Sequence, residues 1–202
     1  MMEILITAKN SDLTKYLSNK IKEKEYIITT PSKEELNVSD RESVEKYFQD
    51  KKFDAVINCA GSLYSSTIVE SEPDKWINDI NTNLIGTYLI NKFALLKNRD
   101  CQIINISSTA AFNAYNDWSS YCASKAGVLK ISQALYKDSY NVITLCPGAI
   151  QTKLRDGLTI ENPNVMTVEE GCQPIIDALM GSYPNGSIVF YRKNEFKFIE
   201  SF

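Results

Sequence analysis

At 202 residues the chain suits one domain, residues 1–202, with a sizeable core, and 44% hydrophobic and 23% charged residues are the proportions of a soluble globular protein. A net charge of −3 without a long basic block gives no electrostatic support for binding nucleic acid or an anionic membrane. No histidine occurs anywhere, which excludes Ser-His-Asp and Cys-His catalysis and any zinc site built on imidazole.

The chain opens on Met1-Met2-Glu3-Ile4-Leu5-Ile6-Thr7, which has no basic region and too short an apolar run for a signal peptide. Glu3–Thr7 reads as a first strand, and Ser11–Lys24 as a helix with Leu13, Tyr16, Leu17 and Ile21 on one face. Tyr26–Thr29 is a second strand, closed by Thr30-Pro31-Ser32. A brief extended piece near Leu36–Val38 precedes Ser39-Asp40-Arg41-Glu42, a capping box for a helix that buries Val44, Tyr47 and Phe48. Ala55–Asn58 is an apolar strand. Ser71-Glu72-Pro73-Asp74 then starts a long helix through Trp76, Ile80, Leu84 and Tyr88 to Lys97. Its most apolar stretch, Leu84–Leu96, is interrupted by Asn91 and Lys92 and falls short of a membrane span.

Ile103–Ile106 is a strand ending on Ser107-Ser108, and Trp118–Lys137 is a helix. Asn141–Cys146 is a strand stopped by Pro147-Gly148, and Ala149–Met166 is a loop. Thr167-Val168-Glu169-Glu170 is a second capping box, for a helix towards Met180, and Ser187–Tyr191 is a last strand. Strands alternating with helices predict an α/β protein, a single doubly wound parallel sheet (Rossmann fold) with helices on both faces. Ligands of such sheets sit beyond the carboxyl ends of the strands, where Asn58, Ser108 and Pro147-Gly148 fall. Five cysteines, at 59, 101, 122, 146 and 172, have no paired spacing and read as small buried residues in a reducing cytoplasm.

Tyr121 and Lys125 are four apart, so on a helix they share a face, and a neighbouring ammonium favours the phenolate. A serine at a strand end can hold a carbonyl oxygen while the phenol gives or takes a proton. At these residues the chain resembles the short-chain dehydrogenase/reductase family, whose Tyr-x-Ala-Ser-Lys signature Tyr121-Cys122-Ala123-Ser124-Lys125 matches. The family's serine lies thirteen residues before its tyrosine, which selects Ser108 over Ser107. Asn58-Cys59-Ala60-Gly61 resembles its Asn-Asn-Ala-Gly, and Asn81-Thr82-Asn83-Leu84-Ile85-Gly86 its Asn-x-Asn-Leu-x-Gly, which implies Asn83 as the active-site asparagine holding a water against the lysine. Pro147-Gly148-Ala149-Ile150-Gln151-Thr152 resembles the segment that clasps the nicotinamide, with Thr152 near its carboxamide.

The family's Thr-Gly-x-x-x-Gly-x-Gly aligns with Thr7-Ala8-Lys9-Asn10-Ser11-Asp12-Leu13-Thr14, from which every glycine is gone. Those glycines let backbone approach a pyrophosphate seated on the helix N-terminus. Asp12 places a carboxylate where phosphate would bind, while Lys9 and the amides of Asn10 and Ser11 partly compensate. After the second strand no acid precedes Glu34, and Lys33 either meets a ribose phosphate or is a solvated loop lysine. The family's adenine-side Asp-Val becomes Asn37-Val38.

The resemblance implies an NADP-dependent oxidoreductase, with NAD possible as the cofactor, that reduces a ketone or aldehyde of a small molecule. In that mechanism Tyr121 gives the proton, Ser108 holds the oxygen, Lys125 lowers the tyrosine pKa and binds ribose, and Asn83 relays protons through water. A sugar-nucleotide epimerase is disfavoured, because the chain has no room for a larger carboxyl-terminal domain. The rival is a silent binding protein that kept the fold and lost dinucleotide affinity. Trp118, Tyr64 and Tyr115 either line the substrate site or pack in loops. A wide apolar arc of Ile77, Ile85, Leu89, Val128 and Ile131 on the two long helices suggests a twofold homodimer or a homotetramer, as in the family.

Overall fold

The computed structural model describes residues 1–21, 26–156, 158 and 162–200. Its strands are β1 (Glu3–Ile6), β2 (Ile27–Thr29), β3 (Ala55–Asn58), β4 (Gln102–Ile106), β5 (Val142–Pro147), β6 (Ile188–Arg192) and β7 (Glu195–Phe198). They form one sheet in the order β2-β1-β3-β4-β5-β6-β7. The first six run parallel, and β7 returns antiparallel against β6.

Side chains alternate across the sheet as the pleat requires. Ile4, Ile6, Ala55, Ile57, Ile104 and Ile106 point to one face and pack under α1 (Asp12–Ile21) and α6 (Val168–Leu179). Leu5, Val56 and Ile103 point to the other, where α2 (Arg41–Tyr47) and α4 (Gly86–Lys97) bury Val44, Tyr47, Phe48, Leu89 and Ile90. The helix α5 (Ser119–Lys137) covers the same side through Leu129, against Cys146 and Ile188. Because both faces are covered, the central strands are buried on both sides and mostly apolar instead of alternating.

Several expectations shift. Leu36–Val38 forms no strand. Val38 is drawn down onto α4 at Gly86, where an added Cβ would stand 2.9 Å from Val38 Cγ2. The three-residue β2 is therefore the outer edge of the sheet. At α2 the cap is Asp40, whose side chain accepts from Glu42 N at 2.9 Å, so the box written from Ser39 is one residue out. The Thr167 box forms with both bonds. In α1 the cap is Ser11, which accepts from Thr14 N at 3.1 Å. The expected end of that helix at Lys24 lies outside the described residues, as do positions 157 and 159–161 of the expected loop. The hairpin into β7 was not expected, although Glu195-Phe196-Lys197-Phe198 alternates as a half-exposed strand should. Among the described residues, no helix is long and apolar enough to cross a membrane.

The long helix is not uniform. An α-helical start, α3 (Pro73–Asp79), passes through a π-helical segment (Ile80–Ile85) before α4, and Gly86 N reaches back five residues to the Asn81 carbonyl. Such wide turns are frequent at functional sites. On the outward arc, Ile77 and Ile85 are 47% and 39% exposed, but Leu89 and Val128 belong to the core, which narrows the apolar face left for a second subunit.

From β1 the chain steps outward to β2 and then crosses back to β3 on the opposite side of β1. That reversal opens a crevice at the carboxyl ends of β1 and β3, the expected ligand position in such a sheet.

Candidate active site

The two serines that end β4 divide their work. Ser107 Oγ donates to the Lys125 carbonyl at 2.8 Å and ties α5 to the sheet. Ser108 Oγ accepts from Ala110 N at 3.1 Å and donates towards the Pro147 carbonyl at 3.4 Å, and its hydroxyl faces the Tyr121 phenol closely enough to favour the phenolate. One turn along α5, Lys125 is 5% exposed, and its Nζ donates to the Ile106 carbonyl at 2.9 Å, 5.6 Å from the centre of the Tyr121 ring.

Burial dominates the electrostatics of this pair. It pushes the Tyr121 phenol up to about 12, with the Ser108 hydrogen bond and the Arg155 guanidinium pulling the other way. It pushes the Lys125 amine down to about 8 from 10.5, on the order of 3 kcal/mol against the charged form. The expectation that the ammonium would dominate the phenol is therefore corrected for the ligand-free site. The phenol is held as a protonated donor beside an amine near its titration point.

Behind the pair stands a group that no sequence motif marks. Asp79, 1% exposed at the end of α3, accepts from Ser62 Oγ at 2.6 Å, Tyr64 N at 2.8 Å and Ser120 Oγ at 2.7 Å. It ties the loop after β3 to the residue preceding Tyr121, and its charge raises the pKa of both Tyr121 and Lys125. An acid within an amphipathic helix is ordinarily read as solvent-facing. Only its place four residues before Asn83, next to the wide turn, could have singled it out.

Asn83 is fully buried in that turn. Its Oδ1 accepts from Ser62 N at 2.8 Å, while Nδ2 donates to the Ser62 carbonyl at 2.9 Å and to Ser124 Oγ at 3.0 Å. Its backbone oxygen accepts from Thr87 Oγ1 at 2.7 Å. The carboxamide is spent on bracing the Gly61-Ser62 loop against α5, so Asn83 stands behind the site and not in its wall.

A cavity of about 880 Å³ opens over this floor. Of the expected residues, Asn10, Ala60, Gly61, Ser108, Tyr121, Lys125, Pro147, Gly148, Ile150 and Thr152 line it, joined by Tyr115 and Trp118. The others do not. Asn58 gives both amide hydrogens to Asn91 and Asn105 at 2.8 Å and locks the ends of β3 and β4 together. Thr7 is buried and accepts from Cys59 N and Ala60 N, both at 3.0 Å. Asn37 accepts from Ser39 N in a local turn, Val38 is core, and Tyr64 caps Glu72 N. Lys9 and Lys33 are exposed outside the cavity, where their charges lower the pKa of Glu35 and Glu34 respectively.

The loop after β1 makes its turn without the family's glycines. Ala8 holds a left-handed φ of 63°, normally glycine's conformation. Side chains then knit the turn into α1: Thr14 Oγ1 donates to the Thr7 carbonyl and Ser11 Oγ to Thr14 Oγ1, each at 2.8 Å. Asp12, in the cavity wall, accepts from Lys153 N at 2.7 Å and joins this loop to the one after β5. A dinucleotide is thus accommodated unevenly. The floor suits a nicotinamide riboside, with Gly61 giving open approach to Lys125 Nζ, 3.9 Å from where a Cβ would sit. The pyrophosphate end presents the Asp12 carboxylate, and a phosphate there would be repelled.

The chain is 32% identical over 138 residues to the 3-oxoacyl-[acyl-carrier-protein] reductase FabG of Haemophilus influenzae, covering 62% of this chain and 57% of that protein. It is 33% identical over 135 residues to an uncharacterized oxidoreductase of Staphylococcus saprophyticus, covering 63% and 56%. It therefore spans little more than half the length of these curated relatives. Among solved structures, a small-chain dehydrogenase in complex with NADPH shares the fold with a TM-score of 0.84 at 18% identity, over 94% of this chain and 96% of that one. A 4-hydroxyisoleucine dehydrogenase complexed with NADH does so with a TM-score of 0.78 at 17% identity, over 93% and 95%. The sequence profile of the short chain dehydrogenase family matches residues 2–163, and the chain belongs to that family.

Proposed function

We propose that the protein is an NAD(P)-dependent oxidoreductase that reduces the ketone or aldehyde of a small molecule. The observation that carries this reading is the Tyr121 hydroxyl, set with Ser108 over a buried Lys125 at the base of the cavity. When bound, the nicotinamide supplies a hydride to the carbonyl carbon. The chain supplies the rest. Ser108 and Tyr121 converge on the carbonyl oxygen, Tyr121 passes its proton to that oxygen as negative charge develops, and Lys125 stabilises the phenolate left behind. Asp79 and Asn83 hold the loop and helix that set this geometry. The cofactor choice stays with NADP, with NAD as the alternative; Lys33 lies outside the cavity, and solved structures of this fold hold NADPH in one case and NADH in another. A homodimer or homotetramer through the exposed parts of α3 and α4, including Ile77 and Tyr88, belongs to the same proposal.

The test is titration with NADPH and NADH, followed by loss of reduced-nicotinamide absorbance with a panel of small carbonyl compounds. Turnover that needs Tyr121 supports the reading, and turnover indifferent to it overturns it. One observation favours a second reading, a silent binding protein: Asp12 bonded to Lys153 N at the pyrophosphate end. Absence of any dinucleotide binding, in the native protein and after Asp12→Gly, would decide for it.

A further inference from the structure

The lining of the cavity departs from the charge of the protein as a whole. The chain carries −3 overall, yet Lys125, Lys153, Arg155, Arg192 and Lys193 line this cavity against only Asp12 and Glu195. Both carboxylates are already engaged, Asp12 with Lys153 N and Glu195 with Arg192 and Lys197. Arg192 is committed to Glu195, Lys193 to Glu170 at 3.5 Å, and Lys125 to the Ile106 carbonyl. That leaves Lys153 and Arg155, two residues apart on one short 3₁₀ turn, with no carboxylate within 4 Å among the described residues.

Arg155 lines the same cavity as Tyr121 and Trp118, and its charge favours the Tyr121 phenolate. A second donor lies near: Trp118 packs edge-on against Tyr121 at 6.2 Å, and its indole N–H is buried with no acceptor among the described residues. Around the proton donor the wall is therefore rich in donors and short of acceptors. The dinucleotide's phosphates belong at the α1 end, where Asp12 stands and where Lys153, whose N–H that carboxylate accepts, also lies; they do not account for Arg155 or for the Trp118 indole beside Tyr121.

We propose that the molecule brought to Tyr121 carries an anionic oxygen group, a carboxylate or phosphoryl, a few bonds from its carbonyl, and that Arg155 binds it. Arginine suits the task because its planar fork pairs two oxygens at once and stays charged at every working pH. The pairing orients the substrate so that its carbonyl oxygen falls between Ser108 and Tyr121. The inference rests on the oxidoreductase reading, and its test separates the two.

The experiment compares matched carbonyl pairs: acetoacetate with methyl acetoacetate, and dihydroxyacetone phosphate with dihydroxyacetone. In each pair that is turned over, kcat/KM favours the anion by roughly ten- to a hundredfold, and added salt erodes the preference. Arg155→Gln collapses the ratio mainly through KM, and Arg155→Lys restores part of it. Preference within the first pair alone identifies a carboxylate, and within the second alone a phosphoryl group. Equal use of anion and neutral partner, or an Arg155→Gln loss that is the same for both, overturns the inference while leaving the oxidoreductase reading intact. If no carbonyl is reduced, binding is read from Trp118 fluorescence in a Trp76→Phe background. Anion-selective quenching lost in Arg155→Gln then upholds the anion site while the oxidoreductase reading fails, and equal or absent quenching ends both.

Discussion

At one end of the cavity Tyr121 and Lys125 are buried with functional atoms turned towards the space a ligand would fill. At the other, Thr7, Ser11, Asp12 and Thr14 turn theirs onto the protein itself. The first end leaves chemistry available and accepts the cost of burying an amine. The second has replaced backbone openness with side-chain bonds that close the loop. A site of this kind loses affinity for a dinucleotide before it loses the ability to move a proton, because the two abilities reside on different elements, the loop after β1 and the helix α5.

The largest expected effect tests the proton donor. Tyr121→Phe should lower turnover about 10²–10⁴-fold with the fold unchanged by circular dichroism, and a variant retaining near-native turnover would remove the distinction between the two ends. The amine sets the next effect. Because Lys125 titrates near 8, kcat/KM for reduction should fall as pH rises through that value, by about tenfold per unit beyond it, and Lys125→Met should be poorly active and lack the inflection. Stability runs the other way: Lys125 has a folded pKa below its unfolded value of 10.5, so the unfolded chain holds more protons between about 8 and 10.5. Its contribution therefore favours folding as pH rises through that window. Denaturant melts of native protein and Lys125→Met across the window isolate this term from the buried thiols, whose raised pKa values act oppositely above about 9.

At the closed end, Asp12→Gly should tighten dinucleotide binding by one or two factors of ten, about 1–3 kcal/mol, measured by calorimetry. An unchanged affinity would mean that the ligand enters along another path. The smallest effect concerns the backbone alone. Ala8→Gly relieves a left-handed alanine and should stabilise the protein by up to about 1 kcal/mol in urea melts, since the relief exceeds the added freedom of the unfolded chain.

The floor of the site was legible because its chemistry is local. Tyr121 and Lys125 lie on one helix, and Ser108 ends a strand whose apolar run announces it. The doubly wound sheet followed from strand–helix alternation in the same way. What escaped was tertiary. Asn58 reads as a strand-end ligand group, but its partners Asn91 and Asn105 come from other elements. Leu36 and Val38 are apolar enough for a strand, and the absence of a further neighbour beyond β2 leaves them to fill the space over α4. Asp79 and Arg155 carry no local pattern at all, and their significance arises only from what the fold sets beside them.

The wide turn at Ile80–Ile85 bears on how this chain tolerates changes in length. A turn closed over five residues contains one more residue than an α-helical turn closed over four. Deleting Thr82 would let the segment relax into regular helix while Leu89, Ile90 and Ala94 kept their phase against the sheet. The same deletion one turn into α4 would rotate everything after it by about 100° and expose that face. The surplus residue is thus a reserve of sequence length held beside the proton donor, and it is what sets Asn83 against Ser62 and Ser124.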